Sequence, residues 1–216
     1  MTLLSSGSSA NYSLAFPAVA PSAGNFLTSD TSGQMSWSST AGFSSTTTAA
    51  MTVYVRSDGS DTTCNGSANA SVTSAPNCAF MTLQTALDKT PDILKHTVTI
   101  KIGTTLNAPT ANRPMAIVNK LITAANETLG PMLIIEGNGG MQALSNFQAG
   151  ASGILISKAS RGVYLKNLNL NAFPETAVDV DGGVALFENS YFAANRNSVK
   201  VSRGGIAQFI GNSHSM

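Results

Sequence analysis

Val178-Asp179-Val180-Asp181-Gly182-Gly183 and Val199-Lys200-Val201-Ser202-Arg203-Gly204-Gly205 are two versions of one segment, set about twenty-one residues apart. Each alternates apolar and polar residues and closes on a Gly-Gly turn, the pattern of a strand with one dry face. Outward from this pair, Val163-Tyr164-Leu165, Val184-Ala185-Leu186 and Ile206-Ala207-Gln208 open three similar segments at the same period. A short, fixed recurrence of strands predicts one chain coiling in rungs, each burying its apolar side against the rungs above and below. Such a coil presents a long regular flank, so function is expected along that flank or at its tip.

The period orients the side chains. With Val178, Val180, Val199 and Val201 inward, Asp179, Asp181 and Lys200 point outward. Lys200 then stands over Asp179 at one strand spacing, about 4.8 Å, as a surface ion pair worth about 0–1 kcal/mol. Glu175 and Glu188 fall close by in the sequence. Asp179 and Asp181 sit about 7 Å apart on one strand, within the range that paired glycosidase carboxyls use. Any Asp-x-Asp strand meets that distance, so a solvated charge ladder is the reading adopted and no residue is assigned to catalysis. His96, between a helix and a strand, reads as a junction residue, and His214 has no partner to orient it. Gly137-Asn138-Gly139-Gly140 reads as a turn rather than a phosphate loop. Asn167 and Asn189 predict an amide ladder within a turn. Tyr164, Phe187, Tyr191 and Phe192 form either a sugar-stacking strip or a packing face, and packing is preferred.

Composition narrows the partners. The chain has 216 residues, of which 11% are charged, and its net charge is +1. Lys and Arg are not clustered, which argues against nucleic acid and anionic membranes. A surface of Ser, Thr, Asn and Gly suits uncharged polar partners, sugars among them, or other subunits. The start, Met1 to Gly7, has neither a basic region nor an apolar run of signal-peptide length, and Met132 to Ile135 is too short to cross a bilayer. Synthesis and folding in a cytoplasm are expected. Cys64 and Cys78 flank an Asn/Ser/Ala-rich loop; a disulfide there would contribute about 3 kcal/mol, and a reduced pair is equally consistent with a cytoplasm. No metal site or cofactor motif is read.

Residues 1–50 form a separate region, free of Lys and Arg and with Asp30 as its one carboxylate. Tyr12, Leu14 and Phe16 alternate as a strand, Asp30 to Gly33 reads as a turn, and Met35 and Trp37 alternate again. Too few apolar residues are present to close a core alone, so other copies or a docking partner are expected to complete it. The order of Leu14, Phe16, Pro17, Pro21, Gly24, Leu27 to Asp30, Gly33, Ser36 and Trp37 resembles a module recurrent in bacteriophage tail fibres and tailspikes. That resemblance covers about thirty residues and implies a trimeric, fibrous virion protein.

Ser44 to Ala50 reads as a linker before the strand Thr52-Val53-Tyr54-Val55. Asp58-Gly59-Ser60-Asp61, the cysteine loop and Phe80-Met81-Thr82-Leu83-Gln84-Thr85-Ala86-Leu87 follow. This order resembles the opening of pectin-lyase-like right-handed β-helices. Leu83, Ala86 and Leu87 make an apolar stripe at helical spacing with Thr82 as N-cap, fit to lid the first rung of a coil. Val98 to Ile102 is an alternating strand, 104–130 a longer excursion with Met115 to Leu121 packing back, and Met132 to Gly137 a strand expected to be covered on both faces. Regular rungs are expected from Gly153.

Together these readings predict an all-β chain: an attachment module over 1–50, then a right-handed parallel β-helix with a short capping helix over 51–216. The resemblances imply a homotrimeric tailspike or tail fibre, carried in the virion tail, touching other virion proteins through residues 1–50 and reaching the host surface. In that family the groove residues lie in further rungs, which are expected beyond Met216. A polysaccharide depolymerase, lyase or hydrolase, and a capsid decoration or head-fibre protein are the rival readings.

Overall fold

The computed structural model describes residues 2–3, 12–13, 18, 25–29, 35–39, 46–107, 114–122, 133–145, 152–158, 160–211 and 214–215. The chain divides into two compact units, Met1–Ser45 and Thr46–Met216. The boundary falls inside the expected linker. Thr46 bridges Ile93, and Thr47 Oγ1 accepts the backbone N–H groups of Lys95 and His96, each at 2.8 Å.

In the first unit, β1 (Thr2–Leu3) pairs antiparallel with β2 (Tyr12–Ser13), and β3 (Asn25–Ser29) with β4 (Met35–Ser39), setting Leu27 opposite Trp37. Met35 and Trp37 are half-buried. Leu14, Phe16, Pro17, Pro21, Gly24 and the Asp30–Gly33 turn lie outside the described residues.

The second unit is built on three parallel sheets. The first contains β5 (Met51–Val55), β7 (Val98–Ile102), β11 (Leu133–Gly137), β14 (Arg161–Lys166), β17 (Val184–Glu188) and β20 (Ile206–Ile210), in that order. The second contains β8 (Leu106–Asn107), β12 (Gln142–Ser145), β15 (Leu168–Asn171), β18 (Tyr191–Ala193) and β21 (His214–Ser215). The third contains β9 (Ala116–Val118), β13 (Ile154–Ser157), β16 (Thr176–Asp181) and β19 (Asn197–Ser202). A small parallel pair joins β6 (Ile93–Leu94) to β10 (Leu121–Ile122). From β7 onward the chain visits the three sheets in rotation, so ordered triplets begin well before Gly153. The expected excursion already holds β8, β9 and β10.

Period-2 alternation sends one residue in two to a shared interior. Val98, Ile100 and Ile102 pair with Leu133, Ile135 and Gly137 in the first sheet. Leu106, Leu144 and Leu170 align in the second, and Ala116, Ile154, Val178 and Val199 in the third. All but Val199 are buried. In β11 only alternate residues are buried; Ile134 is half-covered rather than enclosed on both sides.

One register differs from the sequence period. Val163 pairs with Ala185, not Val184, because a bulge lies between Arg161 and Val163. Gly162, at φ 87°, supplies the left-handed conformation there. A shift of one residue exchanges faces, so Ala185 and Phe187 are buried while Val184 and Leu186 are half-exposed.

The turns between strands use left-handed residues: Asn167 (φ 54°) and Asn189 (φ 45°), Ala172 (φ 59°) and Ala194 (φ 53°), then Arg203 (φ 51°). Side chains inside the turns satisfy backbone groups that lack sheet partners. Ser160 Oγ donates within reach of the Val118 and Lys120 carbonyls and accepts from Lys120 N–H, and Asn195 bonds Phe173 N–H and the Leu170 carbonyl. Gly137 has no room for a methyl group, which would collide with the carbonyl oxygens of Gly140 and Asn167.

Helix α1 (Leu83–Lys89) buries Leu83, Ala86 and Leu87 and packs against β5 and β9. Thr82 Oγ1 accepts Thr85 N–H at 3.2 Å. Asp61, in the Gly-Ser-Asp loop, fixes this N-terminus by accepting Met81 N–H at 2.8 Å, Thr82 N–H at 3.0 Å and Thr82 Oγ1–H at 2.8 Å. Cys64 and Cys78 form a disulfide with a Cα–Cα distance of 4.9 Å, deciding between the two states left open above.

Candidate functional site

The outward face of the third sheet gathers the carboxylates singled out from the sequence. Strand register puts Asp179 beside Lys200 and Asp181 beside Ser202. Lys200 Nζ donates to Asp179 Oδ2 at 3.1 Å, and Asp181 accepts from Ser202 Oγ at 3.1 Å and Arg203 at 3.0 Å. Arg196 meets Glu175 at 3.0 Å just before the same strands. Glu188 is elsewhere: it belongs to the first sheet and pairs with Lys166 at 3.3 Å. Below it, Glu136 lies between Lys166 and Lys101 in register and meets Lys101 at 3.5 Å. In the first sheet the outward charges thus alternate in sign from strand to strand, Lys101, Glu136, Lys166 and Glu188, and in the third Lys200 answers Asp179. A glycosidase pair needs one carboxyl kept protonated and one kept charged by contrasting surroundings. Asp179 and Asp181 each meet a cation of the following layer, Lys200 and Arg203. Asp179 Oδ1 is nevertheless buried and has no hydrogen-bond partner.

The aromatic strip separates into two faces. Phe187 and Phe192 are fully buried, 5.5 Å apart and edge to face, while Tyr164 and Tyr191 are half-exposed on the outside. Alternation within each strand and the shifted register of β14 and β17 cause this split, and it removes the sugar-stacking platform. Asn189 Nδ2 donates to Asn167 Oδ1 at 2.7 Å, forming the amide ladder within the turn. His96 is exposed and engages Thr47 through its backbone N–H. Asn138 and Gly139 form a turn. His214 lies on β21, and its side chain is outside the described residues.

A cleft of about 310 Å³ beside α1 was not legible in the sequence. Gln84, Leu87, Asp88, Asp92, Ile117, Asn119 and Lys120 line it. Lys120 is 5% exposed, and its ammonium donates to the Thr90 carbonyl and to Asp92 Oδ1, each at 2.9 Å. Gln84 spans the cleft, donating to Asp88 Oδ1 at 2.8 Å and accepting Ile117 N–H at 2.7 Å. These bonds tie the helix to β9 and the segment just after it to Lys120. A lone lysine between Asn119 and Leu121 carries no sequence signal for burial, because its partner Asp92 lies far away in the chain.

Among the described residues no group of three His, Cys, Asp or Glu side chains is placed to hold a metal, and no helix is long and apolar enough to cross a membrane. The cation beside Asp58 has a local effect: hydrogen bonds from Arg56 at 2.7 and 3.0 Å hold that carboxyl below its usual range. No protein-family model, curated protein or solved structure matches the chain.

Proposed function

We propose that residues 46–216 wind as a right-handed parallel β-helix and that the chain is a structural virion protein of a bacterial virus, the proximal part of a trimeric tailspike or tail fibre. The observation that carries the proposal is the rotation of the chain through three parallel sheets, with apolar columns inside and one row of outward charges alternating in sign along the first sheet. A parallel crossover is right-handed in about 98% of cases, which selects the hand. A flank of this kind is stiff and chemically quiet, as a shaft requires. Residues 1–50, with the resemblance stated for them above, would knit three chains together and attach them to the particle. The shaft would project toward the host surface. The second-unit resemblance to pectin-lyase-like β-helices supports the same architecture.

Light scattering of the full chain tests the assembly: a mass of three chains is expected, and a well-folded monomer would overturn the fibrous reading. Fitting the chain into images of the intact particle separates tail from head. Incubation with purified capsular glycan is expected to leave it intact; release of oligosaccharides would replace the shaft reading with a depolymerase.

A further inference from the structure

Asn-Gly occurs twice in the chain, at Asn65-Gly66 and Asn138-Gly139. The pair has its own chemistry, because glycine has no side chain to shield its backbone nitrogen from the amide carbon of the preceding asparagine. The two copies sit in opposite surroundings. Gly66 N–H donates to the Cys78 carbonyl at 2.8 Å, and the Gly66 carbonyl accepts Tyr54 N–H at 2.9 Å. Asn65 Oδ1 accepts from Ser67 N–H at 3.0 Å and Ser67 Oγ–H at 2.6 Å, and Asn65 Nδ2 donates to Asn77 Oδ1 at 3.0 Å. A methyl group on Gly66 would strike the Phe80 ring. The amide, its neighbouring nitrogen and the loop around them are all held. Asn138-Gly139 lies in the turn after β11, with Gly139 and Gly140 exposed. A methyl group on either glycine would meet no atom within 4 Å. Among the described residues, neither the Asn138 side-chain amide nor the Gly139 N–H makes a hydrogen bond. This turn is free to bend.

We propose that Asn138 is a site of spontaneous covalent modification, and that the Cys64–Cys78 loop keeps Asn65 inert. The Gly139 nitrogen attacks Cγ of Asn138 and gives up its proton as ammonia leaves, closing a succinimide ring. Water then opens the ring at either carbonyl. Opening at Cγ leaves aspartate; opening at the main-chain carbonyl leaves isoaspartate, whose backbone runs through Cγ and is longer by a carbon. That extra carbon matters in this turn. Asn138 N–H is tied to the Ile102 carbonyl of the layer before at 2.9 Å, and Gln142 N–H to the Asn167 carbonyl of the layer after at 3.0 Å. Beside them Gly137 has no room to shift against the carbonyl oxygens of Gly140 and Asn167. A lengthened segment strains both ties, so the isoaspartyl form loosens Gln142 at the start of β12.

The test incubates the full chain in warm, mildly alkaline buffer, either folded or unfolded by urea with reductant, and follows both asparagines by peptide mass mapping. In the folded protein Asn138 is expected to convert at least about tenfold faster than Asn65, which must first break its hydrogen bonds. In the unfolded chain the two should convert at similar rates, since only the fold separates them. Hydrogen exchange of the aged protein should quicken at Gln142. Asn138→Asp adds the charge without lengthening the backbone, and should leave that amide as in the parent. The rate comparison on unaltered protein stands even if that variant is unstable. Equal rates in the folded chain, or an Asn138 that converts only after unfolding, overturns the proposal. Exchange at Gln142 that is the same in the aged protein and in Asn138→Asp overturns the isoaspartate step.

Discussion

At the first end of the stacked sheets, Val53 and Val55 of β5 are buried; at the last end, Val201 and Phe209 are about half exposed. The strands are of one kind, alternating and parallel, and the difference lies in what covers them. The outer edge of β5 is met by the loop that Cys64 and Cys78 close. Tyr54 N–H donates to the Gly66 carbonyl, Phe80 N–H to the Tyr54 carbonyl and Arg56 N–H to the Phe80 carbonyl, each at 2.9 Å. Helix α1 then lies over the interior. The last edge has no such cover among the described residues. A dry face is therefore conferred by the neighbouring layer, and a strand's own pattern only makes it eligible.

The sharpest way to break this comparison is a pair of identical truncations. Phe187 and Phe209 stack at 4.9 Å in adjacent layers. Phe187→Ala should cost about 3–5 kcal/mol, as for a fully enclosed ring, and Phe209→Ala about 1 kcal/mol because half its surface is already wet. Equal losses in urea unfolding would show that the last layer is as well packed as the middle. Replacing Cys64 and Cys78 by serine removes a cross-link of sequence separation 14 and should lower stability by about 3 kcal/mol. Reductant should lower the parent protein alike and leave the serine variant unchanged. Smaller effects sharpen the contrast between backbone and cover. Ala172→Gly and Ala194→Gly relieve left-handed alanines at φ 59° and 53°, and each should raise stability by up to about 1 kcal/mol. Similar gains are expected in the middle and last layers, since this strain is local. The smallest effect concerns Asp58, whose side chain is 51% exposed. Its carboxyl is held low by Arg56, so its contribution is present above the ordinary Asp range and fades as pH falls through the depressed folded value. A carboxyl NMR titration should show Arg56→Gln returning it upward.

How much was legible differs by scale. Alternation placed Val178, Val180 and Val199 in register, set Lys200 against Asp179, and paired Asn167 with Asn189. Helical spacing and a threonine placed α1 and its cap. Each of these depends on residues joined by a short repeat or a single turn. Packing was the preferred reading of the aromatic residues, and Phe187 and Phe192 do pack, but alternation within β18 and the bulge at Gly162 put them on the opposite face from Tyr164 and Tyr191. The early strands at Leu106 and Ala116 were missed because unequal connections hide their recurrence. At the candidate site, the Asp179 and Asp181 partners were partly foreseeable, whereas the Lys120–Asp92 contact and the cleft around it were not.

By itself the sequence determined which residues alternate and which charges stand one repeat apart, because these follow from local stereochemistry and a fixed period. Only the tertiary structure decided register across the bulge, the burial of Lys120 and the joining of Cys64 to Cys78. Those depend on what packs above and below a strand, and residues remote in the chain supply it.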